Sequence, residues 1–235
     1  MGRMNPTFTN VTFTKTRGTE AIKLYKATGQ KLLPWQELQI KGIMATERGL
    51  WKHMRYGICV SRRNGKGEIL AAREMDGIIA LGEKICHTAH RTTTGHTAWE
   101  RLCALLDDLG EEYDCTKQLG LETITMKCGG KIAFRTRSSK GGLGEGYDML
   151  IIDEAQEYTQ TQQGALMYTI AASPNPQTVF CGTPPTPQSK GDVFAPMRDR
   201  VLSGNAYDTG WAEWSVYQMP ADIMDVEAWY QTNPS

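Results

Sequence analysis

Several features are missing from this 235-residue sequence, and each absence excludes a class of protein. None of the six cysteines belongs to a C-x-x-C pair, which argues against a disulfide framework and against a cysteine zinc site. No apolar run approaches the roughly 18 residues that a membrane span needs. The polar, threonine-rich N-terminus does not resemble a signal peptide. We therefore expect reduced, mostly buried thiols in a cytosolic protein that has no membrane partner.

The formal net charge is zero, so any contact with nucleic acid would depend on a local basic patch. Residues 1–31 are one candidate, because Glu20 is their only acidic residue and they contain six cations: Arg3, Lys15, Arg17, Lys23, Lys26 and Lys31. A solvated basic arm explains the same composition. The length allows one large or two small domains, and a hydrophobic content of 40% is ordinary for a globular protein.

Short apolar runs alternate with segments of helical periodicity, which predicts an α/β fold with a mainly parallel sheet flanked by helices. Strands are predicted at 56–60, 84–89, 149–152, 178–181 and 211–216, with a hairpin at 123–127 and 131–135. Helices are predicted at 32–46, 65–81, 97–109, 161–172, 193–202 and from 226. Residues 1–20 are expected to be extended or poorly ordered, and 138–146 to form a mobile glycine-rich loop.

The segment 56–68 has the layout of a phosphate-binding loop, namely a buried strand, a tight turn containing Gly65-Lys66 and the start of a helix. Free N–H groups and the helix dipole favour an anion at such a helix N-terminus, and lysine adds a charge for the β- and γ-phosphates. The pattern departs from G-x-x-x-x-G-K-[ST], because Val60 replaces the first glycine and Gly67 the hydroxyl residue. A basic turn that only caps a helix is the alternative.

Two further strand ends carry polar residues, and ligands bind at the carboxyl ends of parallel strands. Asp153 follows four apolar residues and is placed to hold Mg²⁺, and Glu154 to polarise the attacking water. Thr183 could sense the γ-phosphate, and the Gln36 amide could bind the adenine edge. Each assignment has an alternative. Asp153 and Glu154 could be a strand end that caps the next helix, Thr183 could belong to a Thr-Pro turn, and Gln36 could be a solvent-facing helix residue.

Several motifs together resemble the large terminase subunit of tailed bacteriophages, in particular phages of actinobacteria. They are, in order, 33–36 (LPWQ), 61–67 (SRRNGKG), 88–90 (TAH) with 97–100 (TAWE), 134–137 (FRTR), 150–155 (LIIDEA), 172–177 (ASPNPQ) and 213–215 (EWS). The resemblance covers the chain from about residue 30 to the end. It implies a P-loop NTPase fold of the RecA/ASCE type and an ATPase motor that drives double-stranded DNA into a procapsid.

The resemblance also implies roles for particular residues. Lys66 would bind phosphate and Arg62 would contact the γ-phosphate. These two residues and Glu154 would be the catalytic residues. Asp153 would bind the metal, Gln36 would contact adenine, and Thr183 would couple hydrolysis to movement. The expected nucleotide-binding residues are Gln36, Arg62, Arg63, Asn64, Gly65, Lys66, Gly67 and Thr183, and the expected cofactors are ATP and Mg²⁺.

The sequence departs from the family pattern in two respects. Where the family commonly has Arg-Gly before the Asp-Glu strand, this chain has Glu145-Gly146. A carboxylate cannot stabilise transition-state charge, so Arg137, Arg135 or Lys140 would have to act in trans, or that step is weakened. The chain also stops near the point where the family continues into a nuclease domain, so we expect ATPase without nuclease activity. A fragment and a naturally short or split gene product explain the length equally well.

The predicted organisation is an N-terminal basic arm (1–31), a P-loop ATPase domain (32–216) and a C-terminal end that begins a linker (217–235). The resemblance implies double-stranded DNA, the portal protein and the small terminase subunit as partners. It further implies a homo-oligomeric ring in the host cytoplasm, transiently docked on the procapsid. Two alternatives stay open, a helicase-like ATPase stimulated by nucleic acid and a non-catalytic nucleotide-binding assembly protein.

Overall fold

A nine-stranded sheet with helices on both faces forms the framework of the computed structural model, which describes residues 2–137, 145–217, 222 and 224–235. The strands are β1 (Phe8–Thr9), β2 (Thr46–Glu47), β3 (Leu50–Trp51), β4 (Arg55–Cys59), β5 (Lys84–Ala89), β6 (Tyr113–Thr116), β7 (Thr123–Met126), β8 (Lys131–Thr136), β9 (Met149–Asp153), β10 (Gln177–Gly182) and β11 (Thr209–Glu213). Strands β2 and β3 form a separate antiparallel ribbon.

Within the described residues, seven α-helices connect or cover the strands. They are α1 (Gly18–Ala27), α2 (Pro34–Ile43), α3 (Lys66–Asp76), α4 (Thr92–Leu109), α5 (Gln160–Met167), α6 (Phe194–Leu202) and α7 (Val226–Thr232). A π-helical turn, Gly77–Leu81, extends α3, and 3-10 turns occupy Ala155–Glu157 and Tyr168–Ile170. Pro34 begins α2, where its missing N–H is not needed for an intrahelical hydrogen bond.

The strand order is β1-β11-β4-β10-β9-β5-β8-β7-β6. The six strands from β11 to β8 run parallel, whereas β1, β7 and β6 are antiparallel to their neighbours. The mainly parallel α/β sheet predicted from the sequence is therefore confirmed. Because β4, β10 and β9 are adjacent, the polar residues that follow these three strands lie at one edge of the sheet.

Alternate residues of β9 enter different hydrophobic cores, which explains its uninterrupted apolar sequence. Met149 and Ile151 join a core shared with α1 to α4, whereas Leu150 and Ile152 join a core shared with α5 and α6. Close packing also fixes Gly57 in β4, since a Cβ there would lie 2.2 Å from Cε3 of Trp211. Both faces of the sheet are thus covered.

The predicted hairpin is confirmed by the antiparallel pairing of β7 with β8. The expectation of an extended or poorly ordered segment over residues 1–20 is only partly correct, because β1 is extended but pairs with β11, and α1 begins at Gly18. Ala21 and Tyr25 are fully buried in α1. The strand β6 was not predicted, and α4 begins five residues before the predicted start at 97. The predicted loop at 138–146 lies outside the described residues except for Glu145 and Gly146.

All six cysteines are free; Cys59, Cys86 and Cys181 are buried, whereas Cys115 and Cys128 are exposed. Burial raises the pKa of the Cys59 and Cys86 thiols to about 12. In the part of the chain that the structure describes, no helix is both long and apolar enough to cross a membrane.

Candidate active site

The loop between β4 and α3 is tightly folded around a buried asparagine. Arg63 (φ 64°) and Gly65 (φ 74°) both adopt left-handed backbone conformations, which glycine tolerates at no steric cost. The Asn64 amide donates to the Ser61 and Arg62 carbonyl oxygens, both at 3.2 Å, and to Ser61 Oγ at 2.8 Å. These contacts place Gly65 at the N-terminus of α3, where the helix dipole favours an anion.

Lys66 is the first residue of α3, and its side chain folds back along the loop. Its ammonium group donates to the carbonyl oxygens of Val60 at 3.1 Å and Ser61 at 3.0 Å. Arg62 and Arg63 are exposed on the same loop. The loop thus presents three cations beside a helix N-terminus.

Asp153 ends β9, and Glu154 follows in a left-handed conformation (φ 52°) that is uncommon outside glycine. The Asp153 carboxylate accepts a hydrogen bond from the Glu154 N–H at 2.8 Å. Glu154 Oε2 accepts from the N–H groups of His90 at 3.1 Å and Arg91 at 3.2 Å. The Glu154 carboxylate is therefore held at the start of α4.

The Arg137 side chain supports the backbone of this acidic pair. Its guanidinium group donates to the carbonyl oxygens of Thr88 at 3.1 Å, Asp153 at 2.5 Å and Glu154 at 3.1 Å. Burial lowers the pKa of Arg137 to about 10, against the opposing effect of the Asp153 and Glu154 carboxylates. Arginine suits this position, because its planar group can serve several carbonyls at once.

A cleft of about 770 Å³ joins the ends of β4, β9 and β10. Its walls include six of the residues predicted to form the site: Arg62, Arg63, Lys66, Asp153, Glu154 and Thr183. The Thr183 N–H donates to Gln156 Oε1 at 3.1 Å, which fixes the tip of β10 in the wall. His90, Arg91 and Lys190 also line the cleft. The lysine loop and the acidic pair therefore share one cavity of a size typical for ligand sites.

Gln36, Asn64, Gly65 and Gly67 are not among the residues that line this cleft. Gln36 is buried behind the loop, where its amide donates to the Gly65 carbonyl oxygen at 3.0 Å and accepts from the Leu33 N–H at 2.7 Å. Gln36 thus stabilises the loop without lining the cleft. Gly67 instead faces a second cavity, of about 420 Å³, between α3 and α4.

Sequence reasoning gave no role to a buried pair behind Asp153. Glu74 of α3 and His87 of β5 are almost fully buried, and His87 Nδ1 lies 2.6 Å from Glu74 Oε1. His87 Nε2 lies 4.0 Å from Asp153 Oδ2. Burial lowers the pKa of His87, but the carboxylates of Glu74 and Asp153 outweigh this effect and raise it above its usual value.

The residues present fit Mg²⁺ bound together with a nucleotide. Among the described residues, no group of three or more His, Cys, Asp or Glu side chains could hold a metal alone. Magnesium is usually bound by one or two carboxylates together with phosphate oxygens and water. Asp153, which lines the same cleft as the loop lysine, suits that arrangement.

Two of the three candidates for a cation that acts in trans are already engaged. Arg137 is buried and donates to three backbone carbonyl oxygens near the acidic pair, and Arg135 donates to the carbonyl oxygens of Glu122 and Phe134. The third, Lys140, lies outside the described residues. Glu145 is paired with Lys131 at 3.3 Å and accepts from the Tyr147 hydroxyl at 2.8 Å.

The C-terminal residues contact the candidate phosphate loop. Ser61 Oγ lies 2.9 Å from the Thr232 carbonyl oxygen and 2.6 Å from Asn233 Oδ1, and its single hydrogen can be donated to either. The Ser235 N–H donates to Asn64 Oδ1 at 3.3 Å. The segment after α7 therefore covers the outer side of the loop, a contact between residues about 170 positions apart that no local pattern could indicate.

Comparison with solved structures finds the same fold in large terminases of bacteriophages. The HK97 bacteriophage large terminase has a TM-score of 0.78 and 17% identity, with 94% of this chain and 48% of that chain covered. The Thermus phage P74-26 large terminase ATPase domain has a TM-score of 0.52 and 17% identity, with 69% and 68% covered. The large terminase of a thermophilic bacteriophage, solved in complex with ADP, has a TM-score of 0.52 and 13% identity, with 85% and 46% covered.

No protein-family model matches this sequence, and comparison with curated proteins finds no match. The chain spans about half the length of the HK97 large terminase chain. The resemblance suggested by the sequence motifs is confirmed at the level of architecture, because the chain has the fold of the ATPase domain of phage large terminases.

Proposed function

We propose that this chain is the ATP-hydrolysing motor domain of a phage terminase large subunit, which drives double-stranded DNA into a procapsid. The observation that carries the proposal is the shared cleft, whose walls include Lys66 of the loop, Asp153 at the end of β9 and Glu154 directly after it. A cationic loop at a helix N-terminus, in one cleft with an acidic pair that ends a strand of the same sheet edge, meets the needs of phosphoryl transfer.

In the proposed site, the loop binds the phosphates. The Lys66 ammonium exchanges its hydrogen bonds with Val60 and Ser61 for phosphate oxygens, and N–H groups of 64–67 donate to them. Arg62, exposed on the loop, contacts the γ-phosphate, and Arg63 adds positive charge. Gln36 is proposed to contact adenine, which requires its amide to turn away from the Gly65 carbonyl.

The acidic pair carries the chemistry. Asp153 holds Mg²⁺, which neutralises charge on the phosphates when it is bound, and Glu154 orients and polarises the attacking water. The amides of His90 and Arg91 fix the Glu154 carboxylate while it does so. Thr183, in the wall of the same cleft, is proposed to sense the γ-phosphate and to couple its loss to movement.

The fold supports the further proposals about partners. We propose double-stranded DNA as the translocated substrate, the portal protein and the small terminase subunit as partners, and a homo-oligomeric ring as the working state. The place of action is the host cytoplasm, at the procapsid. We also expect no nuclease activity from these 235 residues.

ATP hydrolysis with and without duplex DNA tests the proposal. Lys66→Ala should abolish nucleotide binding, because the cationic side chain in the loop is lost. Glu154→Gln should keep nucleotide binding and lower the hydrolysis rate at least about 100-fold, because an amide cannot act as a base but can still accept the two amide hydrogen bonds. Lys84→Ala, at the opposite end of β5, is the matched control and should behave as the wild type.

The outcomes separate the alternatives. Equal, negligible hydrolysis by the wild type and Glu154→Gln would favour a non-catalytic assembly protein. Separation of DNA strands during hydrolysis would favour a helicase-like ATPase, since a packaging motor moves along duplex DNA without unwinding it. Unchanged nucleotide binding by Lys66→Ala would contradict the assignment of the loop.

A further inference from the structure

The cavity between α3 and α4 adjoins the cleft and shares Asp153 with it. Its walls also include Gly67, Glu74 and His87, together with Thr94 and Thr97 of α4. At about 420 Å³ it is large enough for water, which occupies about 30 Å³ per molecule. Polar side chains therefore line part of a space that reaches from the loop glycine to Asp153, and apolar residues of α3 and α4 form the rest of its walls.

His87 presents an unused polar atom in this cavity. The side chain is 1% exposed, and its Nε2 has no hydrogen-bond partner among the described residues. A carboxylate can only accept, so the hydrogen of the 2.6 Å contact with Glu74 lies on Nδ1. Phe134 packs against the imidazole, with ring centroids 5.1 Å apart. The ring is thus fixed with Nε2 towards Asp153.

The distance between His87 Nε2 and Asp153 Oδ2 is the distance expected when one water bridges two polar atoms. At 4.0 Å the two atoms are too far apart for a direct hydrogen bond. Two atoms that both contact one water at about 2.8 Å can lie about 4 Å apart. Buried waters of this kind satisfy polar groups that otherwise have no partner.

Gly67 leaves room for this water at the position where a phosphate loop usually has a hydroxyl side chain. A Cβ built on Gly67 would have no described atom within 4 Å, other than those of its own chain neighbours and helix turn. The chain therefore lacks the usual hydroxyl ligand but has open space at Gly67, in a cavity that Asp153 also lines.

We propose that His87 is a positioning residue that replaces the missing loop hydroxyl. With Asp153 it holds a water beside Gly67, and this water serves as the Mg²⁺ ligand that serine or threonine supplies elsewhere. Glu74 fixes the ring in the orientation that this task needs. The inference rests on the proposed function, because it assumes that a metal–nucleotide complex binds in the cleft.

The test is a double-mutant cycle that measures metal affinity and does not depend on hydrolysis. Mn²⁺ binding to the chain–ADP complex is measured by electron paramagnetic resonance for wild type, His87→Phe, Gly67→Ser and the double variant. Loss of a group that orients a metal ligand typically weakens metal binding 10- to 100-fold. We expect His87→Phe to weaken Mn²⁺ binding at least about tenfold in the wild type. In the Gly67→Ser background, where a hydroxyl replaces the water, the loss should be under about threefold, a coupling that the cycle isolates.

Control measurements separate a positioning role from a structural one. Affinity for ADP without metal and the unfolding temperature should change equally in both backgrounds. If His87→Phe does not fold, Glu74→Gln takes its place in the same cycle, since it keeps the side-chain shape and weakens the hold on Nδ1. Equal losses of Mn²⁺ affinity in both backgrounds, or no loss, would overturn the inference. Failure of the wild type to bind ADP, or normal ADP binding by Lys66→Ala, would instead contradict the proposed function.

Discussion

Glu154 combines an unfavourable backbone conformation with the proposed chemistry. A left-handed conformation costs a residue other than glycine roughly 1–2 kcal/mol. Here it turns the carboxylate towards the amides of His90 and Arg91, 3.1 and 3.2 Å away. Unfavourable conformations of this kind cluster at functional sites, where the surrounding structure maintains them. Two hydrogen bonds and the Arg137 contact to its carbonyl oxygen maintain this one.

His53 predicts a pH dependence of stability. The buried ring has no hydrogen-bond partner among the described residues, and burial, with a smaller effect of Lys52, lowers its pKa from 6.5 to about 4. Between these values the unfolded chain binds a proton that the folded chain does not, so this residue makes stability fall as the pH falls. Urea unfolding at pH 7, 6, 5 and 4.5 should therefore show His53→Phe gaining stability relative to the wild type as the pH is lowered.

The control for this prediction is His90→Gln, since His90 is exposed. Its stability relative to the wild type should be the same at each pH. A constant difference between His53→Phe and the wild type from pH 7 to 4.5 would contradict the assignment, because the buried ring would then titrate as it does in the unfolded chain.

At the scale of elements, the end of β8 fixes the ends of two other strands. Arg137 follows β8 and donates to carbonyl oxygens of Thr88 in β5 and Asp153 in β9, and to that of Glu154. Its charged group also lies 5.5 Å from the ring centre of Tyr158. One side chain therefore holds the acidic pair at a constant position relative to α4, whose N-terminus binds Glu154.

Arg137→Ala should destabilise the protein by about 3 kcal/mol, because each buried group left without a partner costs about 1–3 kcal/mol. Arg137→Lys should recover part of the stability, but a single ammonium group cannot reproduce the planar contacts to three carbonyls. Denaturant unfolding measures both effects. Arg135→Ala is the control at the same strand end and should cost less, since Arg135 is less buried and contacts only two carbonyls. An equal cost for the two alanine variants would contradict the special position of Arg137.

The sequence predicted those elements whose cause is local. Continuous apolar runs marked β4, β9 and β10, and the polar residues after them converge because parallel strands end at one edge of the sheet. The contacts of Arg137 with the acidic pair and the position of His87 beside Asp153 were missed because they depend on register. Pairing of β5 with β9 places His87 opposite Ile151, two residues before Asp153, although 66 residues separate His87 from Asp153 in the chain. Local periodicity contains no information about that register.

Helix α1 shows the opposite kind of failure, since a local signal was present. Ala21, Ile22 and Tyr25 have the spacing of a helix face and are buried in the structure. The basic composition of residues 1–31 favoured an arm instead. Two of its cations are paired within the fold, Arg17 with Asp76 and Lys26 with Glu37, both at 2.6 Å. The division of the chain at residue 31 and the use of this region as a DNA contact stay predictions.

At the scale of the whole molecule, the N-terminal residues close one edge of the sheet. Strand β1 pairs with Ala212 and Glu213 of β11. Beyond it, the Asn10 amide donates to the Thr209 carbonyl oxygen at 2.8 Å and accepts from the Trp211 N–H at 2.7 Å. An uncovered edge strand offers a row of unpaired N–H and C=O groups that can pair with another chain. The N-terminal segment thus protects the side of the sheet next to β4, the strand that leads to the candidate phosphate loop.

Removal of residues 1–10 should therefore lower stability and cause association that increases with protein concentration. Asn10→Ala is the finer test, because it deletes two hydrogen bonds to β11 and leaves β1 in place; it should cost about 1–3 kcal/mol. Urea unfolding measures the stability, and light scattering over a concentration series measures the association. Lys15→Ala, in the same region but outside β1, is the control and should match the wild type. A truncated chain that stays monomeric with wild-type stability would mean that β1 is not required to protect the edge of β11 from pairing with another chain. The N-terminal residues would then be the separate arm that their composition first suggested, available for contact with DNA.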